Sequence, residues 1–250
     1  MLVNYFGSIE KALNDIKEKE HKAITLAAEK IADSIANGSI VHVFGCGHSH
    51  MMAEEVFYRA GGLVPVHPIL VEDLMLHKGG TRSSMFERTN GFAASFMNDQ
   101  DIQNGDVMIV VSTSGRNPVP VDAALYGKKK GAFVIGLTSR QASLGQPSRH
   151  EDGLYLYDAV DLVLDNHVEP GDAVMRHEES QLTFGSTSTV VGMTIMNTVF
   201  VEAIQVMIER GFEPPVFKSG NVDGSDEANE TLIQRYKDRI PMLGKTAPHS

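Results

Sequence analysis

Five short apolar runs, separated by stretches that contain helical patterns, constrain the fold of this 250-residue chain more than any other feature. The runs read "SIVHVFGCG", "LVPVHPILVED", "DVMIVVSTSG", "AFVIGLTS" and "DLVLDN". Continuous apolar runs are typical of strands buried on both faces, and their alternation with helices indicates a parallel sheet covered by helices on both sides. The sequence therefore predicts a doubly wound α/β domain.

Helical segments flank these runs. Between Ser8 and Ala36 apolar residues recur at helical spacing, which predicts one long or two shorter amphipathic helices that end at Gly38. The region 74–105 contains a helix-like pattern, and a last helix is expected over about 226–239.

These segments divide the chain into a helical leader (1–37), a central domain (38–212) and a C-terminal link, helix and tail packed on that domain (213–250). The expected fold is a flavodoxin-like three-layer αβα sandwich whose five-stranded parallel sheet has the order 2-1-3-4-5.

The charge of the chain bears on its partners. The formal net charge is −10 and the isoelectric point is near 5.4, which argues against a surface for nucleic acid, because phosphate backbones are bound by clustered Lys and Arg. The apolar segment "TVVGMTIMNTVFVEAIQVMI" follows an irregular stretch that ends near Ser186. Asn197, Glu202 and Gln205 would be costly at the centre of a membrane, so we expect a buried helix and no membrane contact.

The N-terminal stretch "MLVNYFGSIEKALNDIKEKE" lacks the apolar core of a signal peptide, and the one cysteine, Cys46, excludes an intramolecular disulfide. The expected location is the cytoplasm.

Residues 45–50, "GCGHSH", follow the first apolar run and permit four interpretations. A dinucleotide fingerprint would need a third glycine where His50 stands. Cys46, His48 and His50 are suitable zinc ligands, but they lack the CxxC or HExxH spacing, so metal binding stays an open alternative while we expect no metal and no cofactor. Nucleophilic catalysis by Cys46 would need a nearby base. The fourth interpretation is a phosphate-binding loop.

A second loop favours the phosphate interpretation. "STSGRN" at 112–117 also follows an apolar run and opens a helix, so it presents the hydroxyls of Ser112, Thr113 and Ser114 and free N–H groups. Strands 1 and 3 are neighbours in the expected order. We therefore expect Ser49 to lie across the crevice of the sheet from the second loop, which runs from Ser112 to Asn117. Hydroxyls and a helix N-terminus hold a dianion without a basic patch, in keeping with an acidic chain. The alternative is that Ser49 caps a helix and "STSG" is a turn.

The paired motifs GxGxS and S-x-S-G-x-[TN], here "GCGHS" and "STSGRN", resemble those of the sugar isomerase (SIS) domain family over roughly residues 8–212. The whole chain looks most like a bacterial group of stand-alone phosphosugar isomerases, related to phosphoheptose isomerase and N-acetylmuramic acid 6-phosphate etherase. The resemblance implies a phosphorylated sugar as partner and a homodimer or higher homo-oligomer, with the leader and the helix 187–209 packing across subunits. By motif, the phosphate would be bound by Ser49, Ser112, Thr113, Ser114 and Asn117.

Further substrate contacts are expected around both motifs. Gly47, His48 and His50 surround the first loop, and Ser186 and Ser188 belong to "GSTS", which partly echoes an "ASTK" element of glucosamine-6-phosphate synthase.

The catalytic residues of the family are only partly matched. Where phosphoheptose isomerase and the etherase carry a catalytic Glu, ten residues after the serine of GxGxS, this chain has Arg59. Glu55 lies one turn earlier and either replaces that Glu or forms an i, i+4 ion pair with Arg59. A His of phosphoheptose isomerase on its last domain helix also has no counterpart in the matching helix.

A second acidic cluster supplies the preferred base. His177, Glu178 and Glu179 follow the irregular stretch "EPGDAVM", which we expect to lie over the crevice. Proton transfer between sugar carbons needs a carboxylate or imidazole base, so we predict Glu179 or Glu178 as that base, with His177 donating to the carbonyl oxygen. The alternative is that "HEES" is a solvated helix start.

Three functions follow in order of preference. The first is an isomerase that moves a proton between C1 and C2 of an aldose or ketose phosphate. The second is a lyase or etherase that acts on an N-acetyl sugar phosphate. The third is a non-enzymatic sugar-phosphate sensor, which the missing family Glu and His favour.

Overall fold

The computed structural model describes residues 2–221 and 223–244. Its leader consists of two helices, α1 (Leu2–Lys19) and α2 (His21–Ala36), that meet at Glu20. The apolar residues that set the helical spacing of α2 are the ones it buries, among them Ile24, Ile31 and Ile35. The two-helix alternative for the leader is therefore the observed one.

The sheet has five parallel strands in the order β2-β1-β3-β4-β5, which confirms the predicted topology. The strands are β1 (Val41–Gly45), β2 (Val66–Ile69), β3 (Val107–Val111), β4 (Phe133–Thr138) and β5 (Leu162–Asp165). The first and third strands pair in register, with Gly45 opposite Val111. The loops that follow these two strands consequently leave the same edge of the sheet side by side.

Helices join the strands. They are α3 (Met51–Val56), α4 (Gly80–Glu87), α5 (Ala94–Met97), α6 (Pro118–Lys129), α7 (Arg140–Leu144) and α8 (Leu156–Ala159). The region 74–105 contains two short helices, not one continuous helix, because the chain turns between them at Gly91, whose φ of 74° favours glycine.

The stretch predicted as irregular before Ser186 contains a small antiparallel hairpin, β6 (Met175–Arg176) and β7 (Thr183–Phe184). Two-residue strands carry no usable apolar alternation, so the sequence offered no signal for them. The long helix α9 (Ser188–Glu209) follows, and α10 (Ser225–Tyr236) lies close to the predicted position of the last helix.

Apolar layers cover both faces of the sheet. One layer combines α2, α3 and α9, and the other combines α5, α6 and α8. By length and composition α9 is apolar enough to cross a membrane, yet it packs along α2 and buries Val191, Ile195 and Val199, as expected of a core helix.

The C-terminal segment contributes a third apolar cluster. Phe217, Tyr236 and Ile240 pack there against Ile40 and Val64, next to β1 and β2. Residues 245–250 of the predicted C-terminal unit lie outside the described residues, as does residue 1 of the leader.

Candidate functional site

The first polar loop (loop 1, residues 45–50) folds tightly back on itself. A Cβ on Gly45 would lie 2.6 Å from the main-chain carbon and oxygen of Ser49, so only glycine permits this turn. Gly47 has a φ of 54°, which again favours glycine. The Ser49 side chain is half-buried and forms no side-chain hydrogen bond within the described part of the chain. Its hydroxyl is therefore available at the edge of the sheet.

The second polar loop (loop 2, residues 112–117) offers hydroxyls in two different states. Ser112 is buried, and its Oγ accepts the N–H of Gly115 at 3.3 Å, which fixes the turn. Thr113 Oγ1 accepts the Asn166 amide at 3.3 Å, so its own proton is left for another acceptor. Ser114 is half-buried and forms no side-chain hydrogen bond among the described residues. Thr113 and Ser114 are thus the hydroxyls best placed to bind an anion.

A cavity of about 520 Å³ borders loop 2 on the side of β4 and β5. Loop 2 lines it with Thr113, Ser114 and Arg116, and the opposite wall includes the carboxylates of Glu169 and Asp172. The cavity wall that faces loop 2 on this side is therefore acidic.

The other flank of loop 2 carries a glutamate that the sequence analysis missed. Glu87, the last residue of α4, accepts the Asn117 amide N–H at 2.8 Å. It also lies close enough to Cys46 of loop 1 for its charge to add to the rise in the thiol pKa that burial causes. Glu87 consequently lies in the crevice between the two loops.

The surroundings of Glu87 shift the pKa of its carboxyl. Burial raises the pKa of its carboxyl, and the raise outweighs the opposing effects of the Asn117 hydrogen bond and of the charges on Arg88 and Arg149. A carboxyl with a raised pKa next to a ligand site is suited to proton transfer near neutral pH. The sequence marks Glu87 only as the one acidic residue between positions 79 and 98, which by itself assigns it no role.

Asn117 links Glu87 to a second loop. Its Oδ1 accepts Arg149 Nη1 at 2.8 Å, while its amide N–H is donated to Glu87. The main-chain N–H of Arg149 donates to the carbonyl of Arg116 at 2.8 Å. The side chain of Asn117 is therefore engaged by the protein, and it positions Glu87.

Three arginines collect around loop 2. The main-chain N–H of Arg149 donates to the Arg116 carbonyl, and its carbonyl accepts the Asn90 amide at 3.4 Å, so the segments that carry Arg88, Arg116 and Arg149 meet here. Burial and the charges of Arg116 and Arg88 lower the pKa of Arg149. Arg116 Nε is buried without a hydrogen-bond partner among the described residues. The loop is thus not the neutral site that the acidic composition suggested.

The acidic cluster of "HEES" lies elsewhere. His177, Glu178 and Glu179 form the exposed turn of the β6–β7 hairpin, closed by the His177 N–H to the Leu182 carbonyl at 2.8 Å. With Asn4 and other residues of α1 the turn borders a separate cavity of about 550 Å³. None of the hydrogen bonds or ion pairs found in residues 2–221 and 223–244 joins this turn to loop 1 or loop 2.

Glu55 is engaged in structural contacts. Its Oε1 accepts Arg59 Nη1 at 2.6 Å and the Asn197 amide at 3.0 Å, so it forms the i, i+4 ion pair and also ties α3 to α9. In loop 1, His50 is buried and contacts the carbonyl of Gly47, whereas His48 is exposed. The described residues contain no group of three or more His, Cys, Asp or Glu arranged to hold a metal ion.

The start of α9 is closed by a carboxylate from the same chain. Asp172 Oδ1 accepts the N–H groups of Thr187 and Ser188 at 2.8 and 3.1 Å, and Oδ2 accepts the Ser188 hydroxyl at 2.5 Å. The carbonyl of Ser186 accepts the Tyr5 hydroxyl at 2.6 Å. The hydroxyl of Ser188 is therefore already donated within the protein.

Comparisons with known proteins agree with this architecture. The sequence profile of the SIS domain matches residues 4–139, more than half of the chain. A UPF0309 protein from Halalkalibacterium halodurans is 59% identical over 243 residues and 97% of both chains, and one from Geobacillus thermodenitrificans is 54% identical over 97% of this chain and 98% of its own. Among solved structures, the phosphoheptose isomerases from Neisseria gonorrhoeae and Francisella tularensis share the fold at TM-scores of 0.51 and 0.53. They are 16% and 18% identical, and each alignment covers 82% of this chain and 96% of the other.

Proposed function

The chain belongs to the SIS-domain family, together with the UPF0309 proteins, and we propose that it binds a phosphorylated sugar and moves a proton between C1 and C2 of the open-chain form. The observation that carries this proposal is the position of Glu87, a half-buried carboxylate that accepts the Asn117 amide of loop 2 and lies close enough to loop 1 to influence Cys46.

Phosphate binding is supported by the donors of loop 2. The main-chain N–H groups of Ser114, Arg116 and Asn117 donate to no other group among the described residues, and they precede the 12-residue helix α6. Successive free N–H groups at the start of a helix form a concavity that binds anions. Thr113 and Ser114 add hydroxyl donors, and Ser49 of the neighbouring loop 1 has a free hydroxyl among the described residues.

Proton transfer is assigned to Glu87. A base must lie within hydrogen-bonding reach of the C–H that it deprotonates, and a sugar bound by its phosphate at loop 2 extends along the crevice where Glu87 lies. The Asn117 hydrogen bond fixes the orientation of the carboxylate. Glu178 or Glu179, with His177, remains the second assignment, and Glu55 is the third because its carboxylate is already paired.

The proposal is tested first by a screen of sugar phosphates for a shift in melting temperature, and then by exchange in deuterium oxide. Wild type should place solvent deuterium on C2 of the sugar, and Glu87→Gln should slow this exchange by about 100-fold or more while binding persists. Glu179→Gln is the matched control. Normal exchange in Glu87→Gln together with its loss in Glu179→Gln would assign the base to the hairpin turn.

The same experiment separates the alternative functions. Release of a substituent from an N-acetyl sugar phosphate would identify a lyase or etherase. A sugar phosphate that raises the melting temperature without exchange or breakdown would identify a sensor. We also propose a cytoplasmic homodimer that binds neither nucleic acid nor membrane; exposed apolar side chains on α1 and α9, such as Phe6, Val201 and Ile208, offer it a surface.

A further inference from the structure

The three arginines at loop 2 lack acidic partners. The arginine ion pairs within 4 Å among the described residues involve Arg59, Arg82, Arg210 and Arg239, and none of them involves Arg88, Arg116 or Arg149. Glu87, next to Arg88 in the chain, accepts the Asn117 amide and forms no ion pair with any of these three guanidinium groups among the described residues. In a chain with a net charge of −10, this is a local excess of positive charge beside the proposed ligand site.

The arginines divide into two groups. Arg116 belongs to loop 2 and lines the cavity together with the hydroxyls of Thr113 and Ser114. Arg88 and Arg149 lie on the side of Glu87, beyond the Asn117 side chain that connects Arg149 to that glutamate. Arg116 therefore lies with the phosphate donors of loop 2, whereas Arg88 and Arg149 lie with Glu87, the proposed base.

Placing guanidinium groups side by side without counter-charges is unfavourable in the free protein, and an anion bound between them removes the repulsion. A phosphate monoester carries at most about two negative charges, and loop 2 already supplies it with N–H groups, hydroxyls and Arg116. The charges of Arg88 and Arg149 remain for another group. The side chains of Arg88 and Arg149 are both exposed, so a ligand has access to them.

We infer that Arg88 and Arg149 form a subsite for a second anionic group, so that the ligand is a phosphorylated sugar that also carries a carboxylate or a second phosphate. This inference rests on the proposed binding of a sugar phosphate at loop 2. It narrows the substrate class, because sugars whose only charge is one phosphate leave the subsite empty.

Three open-chain ligands that differ at one carbon test the subsite by isothermal titration calorimetry. Glucitol 6-phosphate carries a neutral C1, 6-phosphogluconate a carboxylate there, and glucitol 1,6-bisphosphate a second phosphate. Wild type should bind at least one of the two doubly anionic ligands about tenfold or more tightly than glucitol 6-phosphate, the gain expected from one charge-assisted contact. The ligand that gains more identifies the group that the subsite takes.

Two variants assign the preference to its residues. Arg88→Gln and Arg149→Gln should each reduce the preference, and the double variant should reduce it to within about twofold, while the affinity for glucitol 6-phosphate changes by less than about threefold. The Arg88 side chain forms no hydrogen bond among the described residues, so its replacement leaves the fold intact. Arg235→Gln on α10 is the matched control for loss of one positive charge.

The other outcomes overturn either the subsite alone or the proposed function together with it. Equal affinity of wild type for all three ligands would overturn the subsite and leave phosphate binding standing. An equal loss for all ligands in the double variant would also overturn it, because the arginines would then bind the common phosphate. Absence of binding by all three ligands, with no melting-temperature shift from the wider screen, would overturn the proposed function and the subsite with it.

Discussion

Replacing Arg239 by methionine should destabilise the fold. The guanidinium donates to both carboxylate oxygens of Asp106, at 2.8 and 3.0 Å, and to Asp101 at 2.9 Å. Asp106 is fully buried and also accepts the ring nitrogen of His42 at 3.1 Å and the N–H of Ile40 at 3.0 Å. The substitution keeps an aliphatic side chain but leaves a buried carboxylate without its cation.

The magnitude follows from this geometry. Removal of one partner of a buried ion pair costs roughly 3 to 5 kcal/mol. Asp106 keeps its hydrogen bonds to His42 and to two main-chain N–H groups, so we expect the lower end, about 3 kcal/mol. Burial alone would raise the pKa of Asp106, but the hydrogen bonds from His42 and Arg239 outweigh it and hold that pKa well below its usual range.

Urea unfolding followed by circular dichroism measures the change, with Arg235→Met on α10 as the control for loss of an exposed arginine. The double variant Asp106→Asn with Arg239→Met should recover part of the loss, because the uncompensated charge is gone. A loss below about 1 kcal/mol in the single variant, the range of a surface pair, would refute the argument.

Three further outcomes are expected. Ser114→Ala should weaken binding of a sugar phosphate by about 1 to 3 kcal/mol in calorimetry with little loss of stability, whereas Ser112→Ala should also lower the melting temperature because its hydroxyl fixes the turn; equal affinity of both variants and wild type would contradict phosphate binding at loop 2. Glu87→Gln should melt at or above the wild-type temperature at pH 7, since burial raises the pKa of the Glu87 carboxyl and an amide carries no such cost of ionisation; a clear drop would show a structural role. Burial, with the neighbouring His42, lowers the pKa of His67 to about 4, so the folded state binds fewer protons there than the unfolded state. Stability should therefore be full above pH 6.5 and fall by up to about 3 kcal/mol as pH drops from about 6.5 to 4. Urea titrations across this range measure the fall, and an unchanged slope in His67→Gln would refute its assignment.

The sheet and both polar loops could be predicted because their signals are local. A strand buried on both faces, such as β3, is a continuous apolar run, and the loop after it must change direction within a few residues. The strand order then places the two loops together without any knowledge of side-chain contacts.

Glu87 could not be assigned in this way, because its role depends on a tertiary contact with Asn117, 30 residues away. Arg88, Arg116 and Arg149 come from three separate segments of the chain, and no sequence motif relates their positions. The cluster of His177 and its two glutamates illustrates the converse: it had suitable chemistry in sequence, yet the hairpin holds it in an exposed turn.

The carboxylate that closes the start of α9 gives loop 2 two unlike flanks. Asp172 neutralises the positive end of that helix and, with Glu169, leaves negative charge on the far wall of the cavity. The opposite flank holds Arg88 and Arg149. If an anionic ligand docks at the start of α6 as proposed, it meets a potential gradient across the loop, and any second anionic group that it carries is drawn away from the acidic wall and towards the arginines. Charge would then orient such a ligand before any hydroxyl of the sugar is recognised.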